Sequence, residues 1–185
     1  MDLNIRACVT DLETSRLHLR RFQSGDEDAL FREYCGDAES SKYLQREVHS
    51  NIDQTKKMLD AWCNIRWSDK SPGFAWVISY RETNMAIGIF LICFEGGTCE
   101  IHFGIGRRFW GKGLMTEAAG AGLLFLEQSG CFERIWTACD IENIGAHRVL
   151  AKLGLQQEAL LEKWFVLPSF GDKARDCFRF SRVYS

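Results

Sequence analysis

The chain has 185 residues, 46% of them hydrophobic and 26% charged, with only two prolines. That excludes a disordered or fibrous chain and is enough to bury one core without disulfides or a structural metal, so a single domain over residues 1–185 is expected. A formal net charge of -2 gives no general attraction for nucleic acid, and the longest strongly apolar runs, 85–94 and 118–126, fall short of the ~20 residues of a membrane helix.

Eight cysteines are scattered from Cys8 to Cys177 with no C-x-x-C pair and no signal-peptide pattern ahead of them, which reads as reduced thiols in a cytoplasmic protein. His18, His49, His102 and His147 do not stand at ligand spacing with the cysteines or one another, so no metal is expected.

In chain order, Arg16-Leu17-His18-Leu19-Arg20 alternates at period two and predicts a half-buried strand. Ser24 with Glu27 three residues on reads as a capping box opening a short helix through Tyr34, and 51–67 predicts a longer helix with Ile52, Thr55, Leu59, Trp62 and Trp67 on one face. Three β-rich runs follow, 74–80, 86–94 and 98–105, joined by loops short enough for antiparallel neighbours. Then come a helix over 114–128, a strand over 134–139, and a helix over 143–153 stopped by Gly154. Two extended segments, 158–166 and 175–183, flank a turn at Pro168-Ser-Phe-Gly-Asp172. Strands followed by a crossover unit imply an α/β (α+β) chain with a mixed sheet covered by helices.

The chemistry concentrates where the strand ending at Ile105 runs through Gly106-Arg-Arg-Phe-Trp-Gly-Lys-Gly113 into the helix beginning Leu114-Met115. Unpaired N–H groups of a first helical turn, with the positive end of the helix dipole, hold anions, and Gly111 and Gly113 let a ligand approach the main chain. Arg107, Arg108 and Lys112 add positive charge at the same place. A P-loop begins as Gly106-x-x-x-x-Gly111-Lys112 does, but Gly113 stands where Ser or Thr must reach magnesium. A dinucleotide G-x-G-x-x-G fails because Phe109 stands in place of its third glycine. What remains is Arg108-x-x-Gly111-x-Gly113, and a tight strand-to-helix connection without a ligand is the plain alternative.

Those three residues resemble the Q/R-x-x-G-x-G/A pyrophosphate signature of the GCN5-related N-acetyltransferase (GNAT) superfamily. Thr14-Ser-Arg-Leu-His-Leu-Arg20, Trp110-Gly-Lys-Gly-Leu-Met-Thr-Glu-Ala118, Asn143-x-x-Ala146 and Arg148-Val-Leu-Ala-Lys-Leu-Gly154 are similar to the RimJ/RimL-like ribosomal-protein branch. The resemblance implies the GNAT fold: a mixed, mostly antiparallel central sheet of about seven strands flanked by about four helices. It also implies an acetyl-coenzyme A-dependent N-acyltransferase acting on a small-molecule or peptide amine, as monomer or homodimer. In that frame Arg108, Phe109, Trp110, Gly111, Lys112, Gly113, Leu114 and Met115 form the pyrophosphate turn. Phe103, Gly104 and Ile105 offer backbone to the pantetheine arm, and Asn143 either bonds that arm or caps its helix.

Glu100 is the candidate base, because an ammonium must lose its proton before attacking a thioester; His102 lies on the same strand face and is the candidate partner. Two departures from the branch stand out: Ala146 and Leu150 occupy positions where serine or tyrosine proton donors are usual, leaving His147 or water as substitutes. They motivate a rival reading, an acyl-coenzyme A sensor of weak activity. Tyr43, Trp62, Trp67, Trp164 and Phe165 are candidate walls of an acceptor pocket.

Overall fold

The computed structural model describes residues 10–64 and 73–184. The alternating segment forms β2 (Leu17–Arg20), preceded by a two-residue β1 (Leu12–Glu13) that the sequence pattern did not announce. Next come α1 (Asp26–Leu30) running into a π-helical turn (Phe31–Cys35), α2 (Ala38–Ser41), and α3 (Ile52–Leu59) running into a second π turn (Asp60–Asn64). The rest of the expected long helix, Trp67 included, lies outside the described residues. After these follow β3 (Gly73–Tyr80), β4 (Ala86–Glu95), β5 (Thr98–Ile105), α4 (Leu114–Ser129), β6 (Arg134–Asp140), α5 (Ile144–Lys152), β7 (Gln156–Val166) and β8 (Ala174–Val183).

One sheet holds eight strands in the order β1-β2-β3-β4-β5-β6-β8-β7, antiparallel throughout except for β5 against β6. The count exceeds the expected seven by the short β1, whose two pairs with Leu19 and His18 extend the edge beside β2. On one face Phe90, Ile101 and Ile105 pack with Leu114, Leu123 and Leu126 of α4 and Leu150 of α5. On the other, Ala75, Val77 and Leu91 pack with Leu30, Tyr34 and Leu59 of the α1–α3 layer.

The entry to α1 departs from the expected capping box. Ser24 caps nothing; Gly25 precedes the helix in a left-handed conformation at φ 100°. This turn brings Asp26 to Arg20, and the two form a bidentate pair of 2.7 and 2.8 Å, the arginine 1% exposed and the aspartate 7%. Asp26 also accepts from the Gln23 N–H, while Glu27 accepts from the Gly25 N–H instead of reaching Ser24. A buried ion pair outweighs a single surface cap because either charge left alone in the core is costly. The π turn then swings Glu33 and Tyr34 across β5 and the loop beyond it, the placement on which the site depends.

Candidate active site

β5 and β6 pair over only three positions, Thr98–Glu100 with Arg134–Trp136. Beyond these β5 continues to Ile105 on β4 and β6 continues to Asp140 on β8, so the two strands part. Antiparallel neighbours exchange hydrogen bonds at alternate residues, and the Gly106 N–H donates to Ile87 O. The main-chain groups of Gly104 therefore face β4, whereas those of Phe103 and Ile105 face the gap. The Trp110 indole N–H donates to Ile105 O at 2.8 Å, which bonds the loop to the strand edge.

A cavity of about 610 Å³ occupies this gap and passes through the sheet layer. Phe103, Thr137, Ala138, Asn143, Ala146 and Leu150 form its wall beside α5; Tyr34, Tyr43, Arg46, His49, Trp62 and Phe165 form the wall toward the α1–α3 layer. Of the aromatics singled out in the sequence, Tyr43, Trp62 and Phe165 reach the cavity. Trp164, 50% exposed, is not among its lining residues. Asn143 caps α5 through Oδ1, accepting from the Ala146 N–H at 3.2 Å, and also stands on the cavity wall. His147 is drawn instead to Asp140 O, at 3.0 Å, and to the rings of Phe178 and Phe180.

At the far end of β5 the loop forms a cradle of main-chain amides. Gly111 and Gly113 have φ of 73° and 74°, left-handed values that favour glycine, and Gly113 begins α4 without a side-chain cap. The first helical bond is donated by Glu117 to Gly113 O; among the described hydrogen bonds none engages the N–H of Gly111, Lys112, Gly113, Leu114 or Met115. Phe109, Leu114 and Met115 are buried and anchor the loop, while Trp110 and Lys112 are exposed. Arg108 does not reach into the cradle: its Nε pairs with buried Glu33 at 3.0 Å, so its side chain fastens the loop to the π turn.

A second fastening joins two segments about a hundred residues apart, Thr14–Arg16 and Glu117. Glu117 accepts from Thr14 Oγ1 (2.6 Å), Ser15 Oγ (3.0 Å) and the Arg16 N–H (2.9 Å), and pairs with the Arg16 guanidinium at 2.6 Å. Arg16 also donates to Lys112 O at 3.0 Å. Partial burial pushes the Glu117 carboxyl up, but these hydrogen bonds outweigh it and bring its pKa down to about 2. A lone carboxylate here would repel an anion; Arg16 compensates its charge and holds the turn in place.

Glu100 and His102 project from the same face of β5, His102 Nε2 lying 3.3 Å from Glu100 Oε1. His102 lines the cavity; Glu100, at the last β5–β6 pair, is not among its lining residues and meets the cavity through the imidazole. Burial pulls the His102 pKa down, but hydrogen bonds to Cys93 and Glu100 prevail and raise it to about 9, so the ring is cationic at neutral pH. Next along that face, a side chain at Gly104 would collide with the Tyr34 hydroxyl. Tyr34 fills the space, and burial raises its pKa to about 12, which keeps the phenol neutral.

The described residues contain no group of three potential metal ligands, and no helix long and apolar enough to cross a membrane. Among these residues Cys35, Cys93, Cys99, Cys131, Cys139 and Cys177 form no disulfide.

Comparison with known proteins agrees with this fold. The sequence model of the family described as Acetyltransferase (GNAT) domain matches residues 16–156. The uncharacterized N-acetyltransferase p20 of Bacillus licheniformis is 29% identical over 156 residues, 83% of this chain and 86% of that protein. The structure of a GNAT-family acetyltransferase from Bacillus anthracis superposes with a TM-score of 0.81 at 23% identity, covering 94% of this chain and 98% of that one. RimL, the ribosomal L7/L12 alpha-N-protein acetyltransferase, in its complex with coenzyme A, gives 0.81 at 17% identity, with the same coverages.

Proposed function

The chain belongs to the GNAT acetyltransferase family, and from that premise we propose that it transfers the acetyl group of acetyl-coenzyme A to a primary amine, on a small molecule or a peptide, by direct attack on the thioester. One observation carries the reading: the gap between β5 and β6 exposes main-chain groups of Phe103 and Ile105 and leads to the free amides of residues 111–115. An extended amide-bearing arm fits the first as an added strand would, and a diphosphate fits the second.

Bound there, acetyl-coenzyme A supplies an activated acyl thioester. The N–H groups from Gly111 to Met115 and the dipole of α4 hold negative charge, with Lys112 adding its own. Phe103 and Ile105 orient the arm along β5, and Asn143 presents its amide from α5. Glu100 accepts the proton that the incoming ammonium must lose, through water, since the protonated His102 ring beside it has no lone pair with which to relay it. His102 carries a proton at neutral pH and is a donor on the cavity wall, where Ala146 and Leu150 offer none. The Ile105 N–H is a candidate main-chain donor toward developing oxyanion charge.

Free-thiol release from acetyl-coenzyme A, measured against peptides, aminoglycosides, polyamines and amino acids, tests this reading. Acceptor-dependent release is expected. The apolar α5 wall at Ala146 and Leu150 favours a second reading, an acyl-coenzyme A sensor; tight binding of coenzyme A without product from any amine would select it.

A further inference from the structure

The described residues of the cavity half that faces the α1–α3 layer are charged in one sense only. Among the described lining residues there is no aspartate or glutamate, and the one permanently charged side chain is Arg46. Arg46 Nη1 donates to neutral acceptors, Cys35 O at 3.3 Å, Ser41 Oγ at 3.2 Å and Glu47 O at 3.0 Å. No described carboxylate pairs with it, and its Nη2 is buried with no acceptor among the described residues. A guanidinium taken partly out of water is ordinarily compensated by an anion, because desolvating an unpaired charge costs far more than neutral hydrogen bonds return.

The surroundings do not cancel that charge. His49, on the same wall, is lowered to a pKa of about 4, first by burial and then by the charge of Arg46, so it is neutral near pH 7 and its Nδ1 engages Thr55 Oγ1 at 2.8 Å. His102 has its own counterion in Glu100. Arg46 also stands near the reacting strand: its guanidinium carbon lies 5.4 Å from the centre of the Tyr34 ring, whose hydroxyl rests against Gly104 of β5.

We infer that Arg46 is the anion subsite of the acceptor chamber, and that the acceptor is an amine carrying its own carboxylate or phosphate close to the amino group. Such a molecule brings the missing counterion; a diamine or polyamine brings a second positive charge toward Arg46 and is disfavoured. Tyr43, Trp62 and Phe165 around it fit an apolar or aromatic body. The inference rests on the acetyltransferase reading and specifies its substrate.

The test is thiol release from acetyl-coenzyme A with matched acceptors: L-phenylalanine against phenethylamine, phosphoethanolamine against ethanolamine, and spermidine as the polycation. The expected result is a kcat/KM at least about tenfold higher for the anionic member of one pair or both, the pair showing whether carboxylate or phosphate is preferred. Arg46→Gln should bring that ratio toward one, and Arg46→Lys should keep part of it. Equal turnover of the matched members, faster turnover of spermidine, or an unchanged ratio in Arg46→Gln would overturn the inference. Should Arg46→Gln fail to bind coenzyme A, the wild-type ratios decide alone. Wild-type protein that does not bind coenzyme A defeats the acetyltransferase reading itself, and the inference falls with it. Normal coenzyme A binding with indifference to the anion defeats only the inference.

Discussion

At Glu100 and His102 two ionisable groups 3.3 Å apart divide the proton chemistry between them. Because hydrogen bonding lifts the His102 pKa to about 9, the imidazolium persists through neutral pH and is lost only as pH rises through that value. Turnover should therefore fall on the alkaline side near pH 9, and His102→Gln should remove that limb from the rate profile; a profile with the same alkaline limb in the variant would refute the assignment. Glu100→Gln should depress kcat by about 10²-fold or more at neutral pH while leaving coenzyme A affinity unchanged in calorimetry. Residue identities at this site were legible because strand alternation puts positions 100 and 102 on one face. What was not legible is which groups meet from afar. Tyr34 over Gly104, Glu33 on Arg108 and Arg46 on the cavity wall all depend on the path of the α1–α3 layer, which no local spacing encodes.

At the scale of elements, the β5-to-α4 junction was read from its glycines and from the unpaired amides that any helix start leaves. The fastening beneath it was not, because Thr14 and Arg16 meet Glu117 across about a hundred residues. Since the folded-state pKa of Glu117 is depressed from 4.5 to about 2, its contribution to stability is present above pH 4.5 and lost as pH falls toward 2. Glu117→Gln should flatten the dependence of the urea midpoint on pH over that window, as followed by circular dichroism. It should also weaken coenzyme A binding by loosening the loop. Gly113→Val, which forces a β-branched residue into φ 74°, should weaken that binding further, by about tenfold or more. The entry to α1 was misread as a capping box because the sequence offers Ser24 and Glu27 at the right interval, while the deciding partner, Arg20, lies on another element. Asp26→Ala leaves that arginine buried and unpaired and should cost about 3–5 kcal/mol, read as a lower urea midpoint.

For the molecule as a whole, the order of strands and helices followed from hydrophobic periodicity and turn residues, and the strand boundaries between 73 and 105 were met to within a residue. The parting of β5 from β6 could not be read that way, since a strand that loses its neighbour keeps its own alternation. Yet this parting makes the site: it opens a cavity through the sheet, leaves the main chain of Phe103 and Ile105 facing the gap, and leads to the amides beyond the strand. The most direct measurement of that account is the amide nitrogen–proton NMR spectrum during titration with coenzyme A. The account predicts saturable shifts concentrated at residues 111–115 and at Phe103 and Ile105, with pyrophosphate alone moving only the former set. Saturable binding that leaves 111–115 unmoved would contradict it.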